Sequence, residues 1–242
     1  MTVTASARRG RLPYETSPVV YQAIKWVFTR LMNILYRYEV TRLADFPPSG
    51  PTIIVVNHLH LFDPGAVMPA VPRRIVTLAA DKYIRHLMIG TLLRLAGSIF
   101  VRRGEVDREA LRRCLDVLNK GGVLAVAPEG TRSRTATLQR AKPGVAYLAS
   151  RTNAILVPVV FWGIERLKDW ARLRRPTCHV VVGQPFHLPP MARRPSSGEL
   201  QELADLVMVR IGLLLPESYR GVYTERIAAV EAGTSDELSV LG

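Results

Sequence analysis

Beyond residue 50, short runs of apolar and β-branched residues alternate with longer segments in which apolar positions recur at helical spacing. The short runs do not alternate with polar residues, which is typical of strands that are covered on both faces. They occupy residues 52–56, 74–80, 98–101, 123–127, 155–161 and 178–183. The helical patterns occupy residues 64–70, 84–96, 107–120, 143–150 and 198–215. This order predicts an α/β domain with a largely parallel central sheet flanked by helices.

A further helix is predicted at residues 17–38, before the alternating region. Ser17 is a favourable N-cap residue, and Pro18 suits the first helical position. At about 100° per residue, the Lys, Arg, Thr, Gln and Asn side chains of this segment fall within an arc of roughly 140°. The remaining surface is apolar and aromatic. Two interpretations stay open: an ordinary core helix, or an amphipathic helix that lies in a membrane interface.

The pattern divides the chain into three predicted regions. Residues 1–42 are an N-terminal amphipathic helical segment, with membrane-interfacial contact as one of its two interpretations, residues 43–215 are the α/β domain, and residues 216–242 are a C-terminal tail. With 48% hydrophobic residues, the chain can bury one substantial core. No uncharged apolar run reaches the roughly 18 residues of a membrane-spanning helix. Membrane contact is therefore expected to be peripheral or monotopic.

The charge balance narrows the class of partner. Lys and Arg number 33 against 20 Asp and Glu, which gives a formal net charge of +13. Such an excess points to phosphate in a partner: nucleic acid, anionic lipid or a phosphorylated substrate. A non-enzymatic protein that binds nucleic acid or acidic lipid is one candidate, supported by the basic segment at residues 165–175. Against it stand an aromatic content of only 7% and the absence of any nucleic-acid-binding motif.

Residues 57–63, NHLHLFD, follow the first apolar run and contain the first candidate site. A loop there can bring the Asp63 carboxylate to one ring nitrogen of His58, which leaves the other nitrogen ready to take a proton. No G-x-S-x-G motif is present, so the pair suits a reaction in which the substrate brings the attacking hydroxyl. A purely structural hydrogen bond is the simpler alternative. His60 raises the question of a metal site, but the spacing departs from metal-binding H-x-H-x-D-H clusters, and the other histidines are scattered.

Residues 127–133, APEGTRS, follow another apolar run and form a second candidate group. Glu129 offers an acceptor for a hydroxyl, and Gly130 allows a tight turn. Arg132 offers donors suited to phosphate, together with Thr131 and Ser133. Further basic side chains follow or flank nearby strands: Arg102, Arg103, Arg140 and Lys142. Taken singly, each of these is expected to be an ordinary solvated charge.

Together these motifs resemble those of the glycerolipid acyltransferases of the 1-acylglycerol-3-phosphate (lysophosphatidate), or PlsC-like, type. That family has an N-H-x-x-x-x-D block, a G-x-[IF]-[FI]-x-x-R block, a P-E-G-T-R-S block and a fourth block that ends in V-P-[VI]. The chain carries all four in this order, at residues 57–63, 97–103, 128–133 and 155–159. The resemblance covers roughly residues 50–185. Its third block is highly specific.

The resemblance implies that His58 is the general base for the acceptor hydroxyl and that Asp63 orients it. It also implies a set of residues that bind the phosphorylated glycerol acceptor or shape its loop. This set comprises Arg102, Arg103, Glu129, Gly130, Thr131 and Arg132, to which the neighbouring cation Lys142 is added. The fourth block, with Pro158, is expected to shape the site or the acyl pocket.

The resemblance further implies an acyl donor carried on coenzyme A or acyl carrier protein, with no metal, organic cofactor, acyl-enzyme or nucleic acid. The expected location is the cytoplasmic face of the cell membrane, where residues 17–38 would contact anionic lipid near the lipid acceptor. His60 replaces a frequent serine and Arg102 a frequent aspartate, which leaves the acceptor open. Besides 1-acylglycerol 3-phosphate, the candidates are glycerol 3-phosphate, another lysophospholipid and a lyso-aminolipid.

Overall fold

The computed structural model describes residues 16–59, 63–102, 107–190, 193, 195–236 and 239. Its strands are β1 (Arg37–Arg42), β2 (Thr52–Val55), β3 (Ile75–Ala80), β4 (Ile99–Val101), β5 (Val123–Val126), β6 (Ile155–Trp162) and β7 (Thr177–Val182). Its α-helices are α1 (Pro18–Leu35), α2 (Asp63–Ala70), α3 (Leu87–Ala96), α4 (Arg108–Asn119), α5 (Gly144–Thr152), α6 (Ser197–Gly212) and α7 (Thr224–Glu231). Short 3₁₀ helices occupy Asp81–Tyr83, Ile164–Arg172, Glu217–Tyr219 and Gly221–Tyr223.

The strands in the described part of the chain form a seven-stranded sheet in the order β1-β7-β6-β2-β5-β3-β4. β6 and β7 pair antiparallel, whereas the other neighbouring strands pair parallel. β2 lies between β5 and β6, with Val55 opposite Val126 on one side and Pro158 on the other. Because neighbouring parallel strands end at the same edge of a sheet, the loops after β2 and β5 leave it side by side. The predicted α/β class with a largely parallel sheet is confirmed.

Both faces of the sheet are covered, which explains why its strands lack polar alternation. Ile53 and Val55 pack into a core layer that includes α4, α5, α6 and α7. Ile54 and Val56 pack into the opposite layer with α1 and α2. Each strand predicted from an apolar run is confirmed to within a residue at either end.

The N-terminal segment, which was predicted as a separate region ending at residue 42, packs against the rest of the chain through α1 and β1. α1 ends at Leu35, short of the predicted residue 38, because the backbone becomes extended at Tyr36 and continues into β1. β1 pairs in parallel with β7 along its whole length. α1 also contributes buried Tyr21 and Met32 to the core. The first two residues of β1, RYEVTR, were included in the predicted helix. The polar side chains of this edge strand do not form the apolar run that marked the other strands.

The segment that was predicted to be a C-terminal tail also folds onto the domain, at least through α7. Tyr223 and Ile227 are buried in the same core layer as α5 and α6. The Tyr223 hydroxyl donates to Asp205 Oδ1 at 2.5 Å and accepts the main-chain N–H of Ala141 at 2.9 Å. These contacts join the 3₁₀ helix that precedes α7 to α6 and to the loop before α5. The chain after residue 215 thus continues the packing of α6 as far as α7.

Candidate active site

The loop between β2 and α2 brings His58 and Asp63 together. His58 Nδ1 lies 2.5 Å from Asp63 Oδ2, and the main-chain N–H of Leu59 donates to the same oxygen at 2.9 Å. Asp63 is buried, whereas 20% of the His58 side chain remains exposed. The carboxylate favours the tautomer with its proton on Nδ1, which makes Nε2 the ring nitrogen that can accept a proton. The predicted pairing is thus present in the structure, while His60 lies outside the described residues.

Asn57 fixes the main chain immediately before His58. Its side-chain amide donates to the carbonyl of Phe161 at 2.7 Å and accepts the N–H of Phe161 at 3.0 Å. The buried amide therefore continues the pairing of β2 with β6 beyond the last residue of β2. Sequence reasoning quoted Asn57 as part of the first motif without giving it a role. The position of this polar residue directly after an apolar run could have indicated a buried hydrogen-bonding role.

Glu129 connects the two candidate loops from inside the protein. One carboxylate oxygen accepts the main-chain N–H of His58 at 3.0 Å, and the other accepts the N–H of Gln139 at 3.0 Å. Glu129 is only 2% exposed. Burial raises its pKa to about 7, outweighing the two hydrogen bonds that act to lower it, and the charge of Asp63 adds to the rise. Each Glu129 oxygen therefore accepts one main-chain N–H group, and this carboxylate holds the two loops together.

Ser133 and Gly130 shape the second loop, and Ser133 holds it against the first. The N–H of Ser133 donates to the carbonyl of His58 at 2.8 Å. Gly130 adopts φ +68°, and a Cβ there would lie 2.9 Å from Cδ of Lys142. Gly130 thus combines a left-handed turn with a close approach of the Lys142 side chain. Lys142 is therefore placed beside the third block.

Of the other residues predicted to bind the acceptor, some lie near His58 and some do not. Arg132 is exposed and lines a cavity together with His58, and Thr131 is an exposed neighbour in the same loop. Arg102 lies after β4, where its main-chain N–H donates to Asp107 Oδ2 at 3.0 Å and its Nε lies 3.7 Å from that oxygen. The structure does not bring Arg102 to the walls of the cavities that His58 lines. Arg103 lies outside the described residues.

His58 lies on the walls of two cavities. The larger, of about 480 Å³, lies between α1, α3 and β3 and is mainly apolar. The smaller, of about 170 Å³, is also lined by Asp63 and Gly130. Thr77 and Ser98 lie on the wall of the larger cavity with their hydroxyl oxygens 2.8 Å apart, so each satisfies the other. The larger volume is within the roughly 300–1,000 Å³ usual for small-molecule sites.

The two thiols lie in the protein interior and do not provide a nucleophile for this region. Cys114 and Cys178 are both buried, and burial raises the pKa of each thiol to about 12. Both are therefore poor nucleophiles. Within the ranges that the structure describes, no three His, Cys, Asp or Glu side chains stand close enough to hold a metal ion.

Comparison with protein families matches residues 37–162 to a family described as Acyltransferase. The human protein named 1-acyl-sn-glycerol-3-phosphate acyltransferase alpha is 30% identical over 190 residues, which cover 73% of this chain and 64% of the human protein. The Borreliella burgdorferi protein named 1-acyl-sn-glycerol-3-phosphate acyltransferase is 27% identical over 125 residues, or 51% of this chain and 50% of that protein. The matched regions thus span less than two-thirds of these relatives.

A solved structure has a similar fold. It is described as the 1-acyl-sn-glycerophosphate (LPA) acyltransferase, PlsC, from Thermotoga maritima. The TM-score is 0.60 at 20% sequence identity, and the superposition covers 88% of this chain and 80% of the other. At this identity the likeness concerns the fold.

Proposed function

Because the chain belongs to the acyltransferase family, we propose that it transfers a fatty acyl group to the free hydroxyl of 1-acylglycerol 3-phosphate and so forms phosphatidate. The donor is a thioester of coenzyme A or acyl carrier protein. The observation that carries the proposal is the bond between His58 and Asp63 at the junction of two mainly apolar cavities. The relatives whose names specify this acceptor support the choice of substrate.

The geometry suits direct transfer. The acceptor hydroxyl attacks the thioester carbonyl while His58 Nε2 takes its proton, and Asp63 stabilises the imidazolium that forms. A C–O bond forms, the C–S bond then breaks, and the imidazolium returns the proton to the departing thiolate. The acyl group passes straight to the acceptor, in keeping with the burial of both thiols of the chain.

The acceptor phosphate is bound on the third-block side of His58. Arg132 lies on the cavity wall with His58, and Lys142 packs against the turn at Gly130. A guanidinium offers paired donors to phosphate oxygens, and an ammonium adds a second positive charge. Thr131 supplies a neighbouring hydroxyl. Arg102 would act from the adjoining loop after β4, as a more peripheral contact because it is drawn towards Asp107. Arg103, outside the described residues, remains a further predicted phosphate ligand.

The acyl chain of the lipid acceptor occupies the larger cavity, and the protein works at the surface of a membrane. α1 supports this location because its Val19, Trp26, Val27 and Ile34 side chains are exposed although they are large and apolar. Within the described residues, no helix is both long and apolar enough to cross a bilayer. We propose that the protein binds the cytoplasmic face of the membrane, where its positive charge attracts anionic lipid.

The test is acyl transfer from radiolabelled oleoyl coenzyme A to lysophosphatidate, beside lysophosphatidylcholine, lysophosphatidylethanolamine and glycerol 3-phosphate. The same acceptors are then offered oleoyl acyl carrier protein. We expect phosphatidate to be the main product. If only another acceptor yields product, acyl transfer stands but lysophosphatidate is the wrong acceptor. If no acceptor yields product with either donor, the proposed function is wrong.

Recognition of phosphate can be tested on a single loop. Arg132→Ala should raise KM for lysophosphatidate about tenfold or more, the usual scale for a lost charged hydrogen bond, with a smaller effect on kcat. Arg134→Ala, at an exposed position in the same loop, is the matched control. Equal effects of the two variants would contradict the assignment of Arg132.

A further inference from the structure

α3 has an unusually apolar exposed surface. Its sequence, LMIGTLLRLA, is apolar almost throughout, yet Gly90 is its buried residue. Leu87 is 84% exposed and Met88 is 77% exposed. Leu92, Leu95 and the preceding Ile84 are also exposed. A helix of this composition would normally pack against the sheet, so a contiguous apolar surface of this kind indicates a contact that the isolated chain leaves unmade.

Cationic and aromatic side chains border this surface. Lys82, Arg85 and Arg94 are exposed, with Asp81 as the neighbouring acid. Lys82 Nζ lies 5.2 Å from the centre of the Tyr83 ring. Apolar side chains surrounded by cations and aromatic rings match the chemistry of a lipid leaflet, in which acyl chains lie beneath a layer of anionic headgroups. A protein partner would need a matching acidic rim to meet these cations, whereas an anionic leaflet supplies the opposite charge over its whole surface.

The neighbouring face of α1 continues the same pattern. Trp26 and Val27 are exposed, and the Arg30 guanidinium lies 5.5 Å from the centre of the Trp26 ring. Both helices line the 480 Å³ cavity. Val27 of α1 and Leu92 of α3 are at once on the cavity wall and exposed. The cavity therefore reaches the surface between the two helices, on the apolar face.

We propose that α3 is a second lipid-docking helix, which lies with α1 on one leaflet, and that the seam between them admits an acyl chain sideways from the leaflet into the cavity. The first part, docking, depends only on the surface. The second part, passage of the chain, rests on the proposed function. Such a route keeps the acyl chain out of water on its way from the leaflet to His58.

Docking is tested by sedimentation of the full chain with vesicles of phosphatidylcholine and phosphatidylglycerol. Leu87→Ser combined with Met88→Ser should weaken binding about tenfold or more, since two large apolar side chains no longer enter the leaflet. Val222→Ser is the matched control: Val222 is 67% exposed, and its neighbour Tyr223 packs in the opposite core layer. Equal binding by the double variant and the control would overturn the proposal.

A second measurement reports the contact directly. Cys114 and Cys178 are buried, so a polarity-sensitive dye will label a cysteine introduced at Leu87 or, as the control, at Val222. We expect a blue shift on adding vesicles for the dye at position 87 and little change at position 222. No shift at 87 would overturn the proposal. A shift that grows with protein concentration without vesicles would also overturn it, because a second copy of the chain would then cover α3.

The seam is tested with Leu92→Trp, which places a larger side chain between the helices. We expect vesicle binding to persist while transfer to a long-chain lysophosphatidate falls more than transfer to a short-chain one. Equal losses for both acceptors would overturn lateral passage. A wild-type protein that binds vesicles through α3 but transfers no acyl group would refute the proposed function and leave the docking surface intact.

Discussion

Replacing Glu129 by glutamine tests the buried connection between the two loops. Both carboxylate oxygens accept main-chain N–H groups, from His58 and Gln139. In Glu129→Gln, one acceptor oxygen becomes an NH₂ group that faces an N–H donor. One hydrogen bond is lost and a buried donor is left without a partner, which costs about 1–3 kcal/mol of stability.

The cost should depend on pH because burial raises the pKa of Glu129 from 4.5 to about 7. Below pH 4.5 the carboxyl is protonated in both the folded and the unfolded chain. Between 4.5 and 7 the unfolded chain releases the proton while the folded chain retains it, so wild type loses up to roughly 3 kcal/mol of stability as the pH rises. The glutamine variant has no such loss. A protonated carboxyl still has acceptor lone pairs on both oxygens, whereas an amide nitrogen has none.

The assay is urea unfolding, followed by circular dichroism, at a series of pH values from about 5 to 8. Glu129→Gln should be less stable than wild type at the acidic end, and the stability of wild type relative to the variant should fall by about 2.5 kcal/mol between pH 5 and pH 8. Glu225→Gln, at an exposed position on α7, controls for the exchange of a carboxylate for an amide. A difference between wild type and Glu129→Gln that stays constant with pH would refute the argument that burial dominates this carboxyl.

Three further substitutions test neighbouring parts of the site. Asp63→Asn should lower kcat about a hundredfold or more with a small change in KM, because an amide no longer stabilises the imidazolium; an unchanged kcat in steady-state assays would count against the pair. Asn57→Ala leaves the N–H and carbonyl of Phe161 without their side-chain partners and should cost about 2–5 kcal/mol in urea unfolding. Gly130→Ala should cost about 1–2 kcal/mol, seen as a lower Tm, because φ is +68° there and the new Cβ would crowd Lys142; an unchanged Tm would show that the turn relaxes freely.

The sequence predicted the central strands well because those strands are buried on both faces. Continuous apolar runs such as residues 52–56 and 155–161 leave few alternatives to strands. β1 escaped prediction because RYEVTR lies at the sheet edge with most side chains exposed or half-exposed, so its pattern is polar. α7 escaped because eight residues with a weak apolar pattern become helical only through packing, chiefly of Ile227.

The sequence predicted which residues gather at the site better than it predicted how they contact one another. His58 and Asp63 are five residues apart, so a local loop sufficed to infer their contact. Glu129 forms its contact with His58 across 71 residues, and only the sheet order places those loops together. Sequence gives the type of side chain but not the direction in which it points. The hydrogen bonds of Glu129 to two main-chain N–H groups were therefore not predicted.

The most direct test of the central claim is the rate of phosphatidate formation by wild type and His58→Ala at saturating lysophosphatidate and oleoyl coenzyme A. Urea unfolding of both proteins accompanies the assay, so that a loss of fold is not mistaken for a loss of catalysis. The account predicts a fall in kcat of about a hundredfold or more, the usual scale for a lost general base, in a protein that still folds. Equal rates for the two folded proteins would contradict the assignment of His58 as the base.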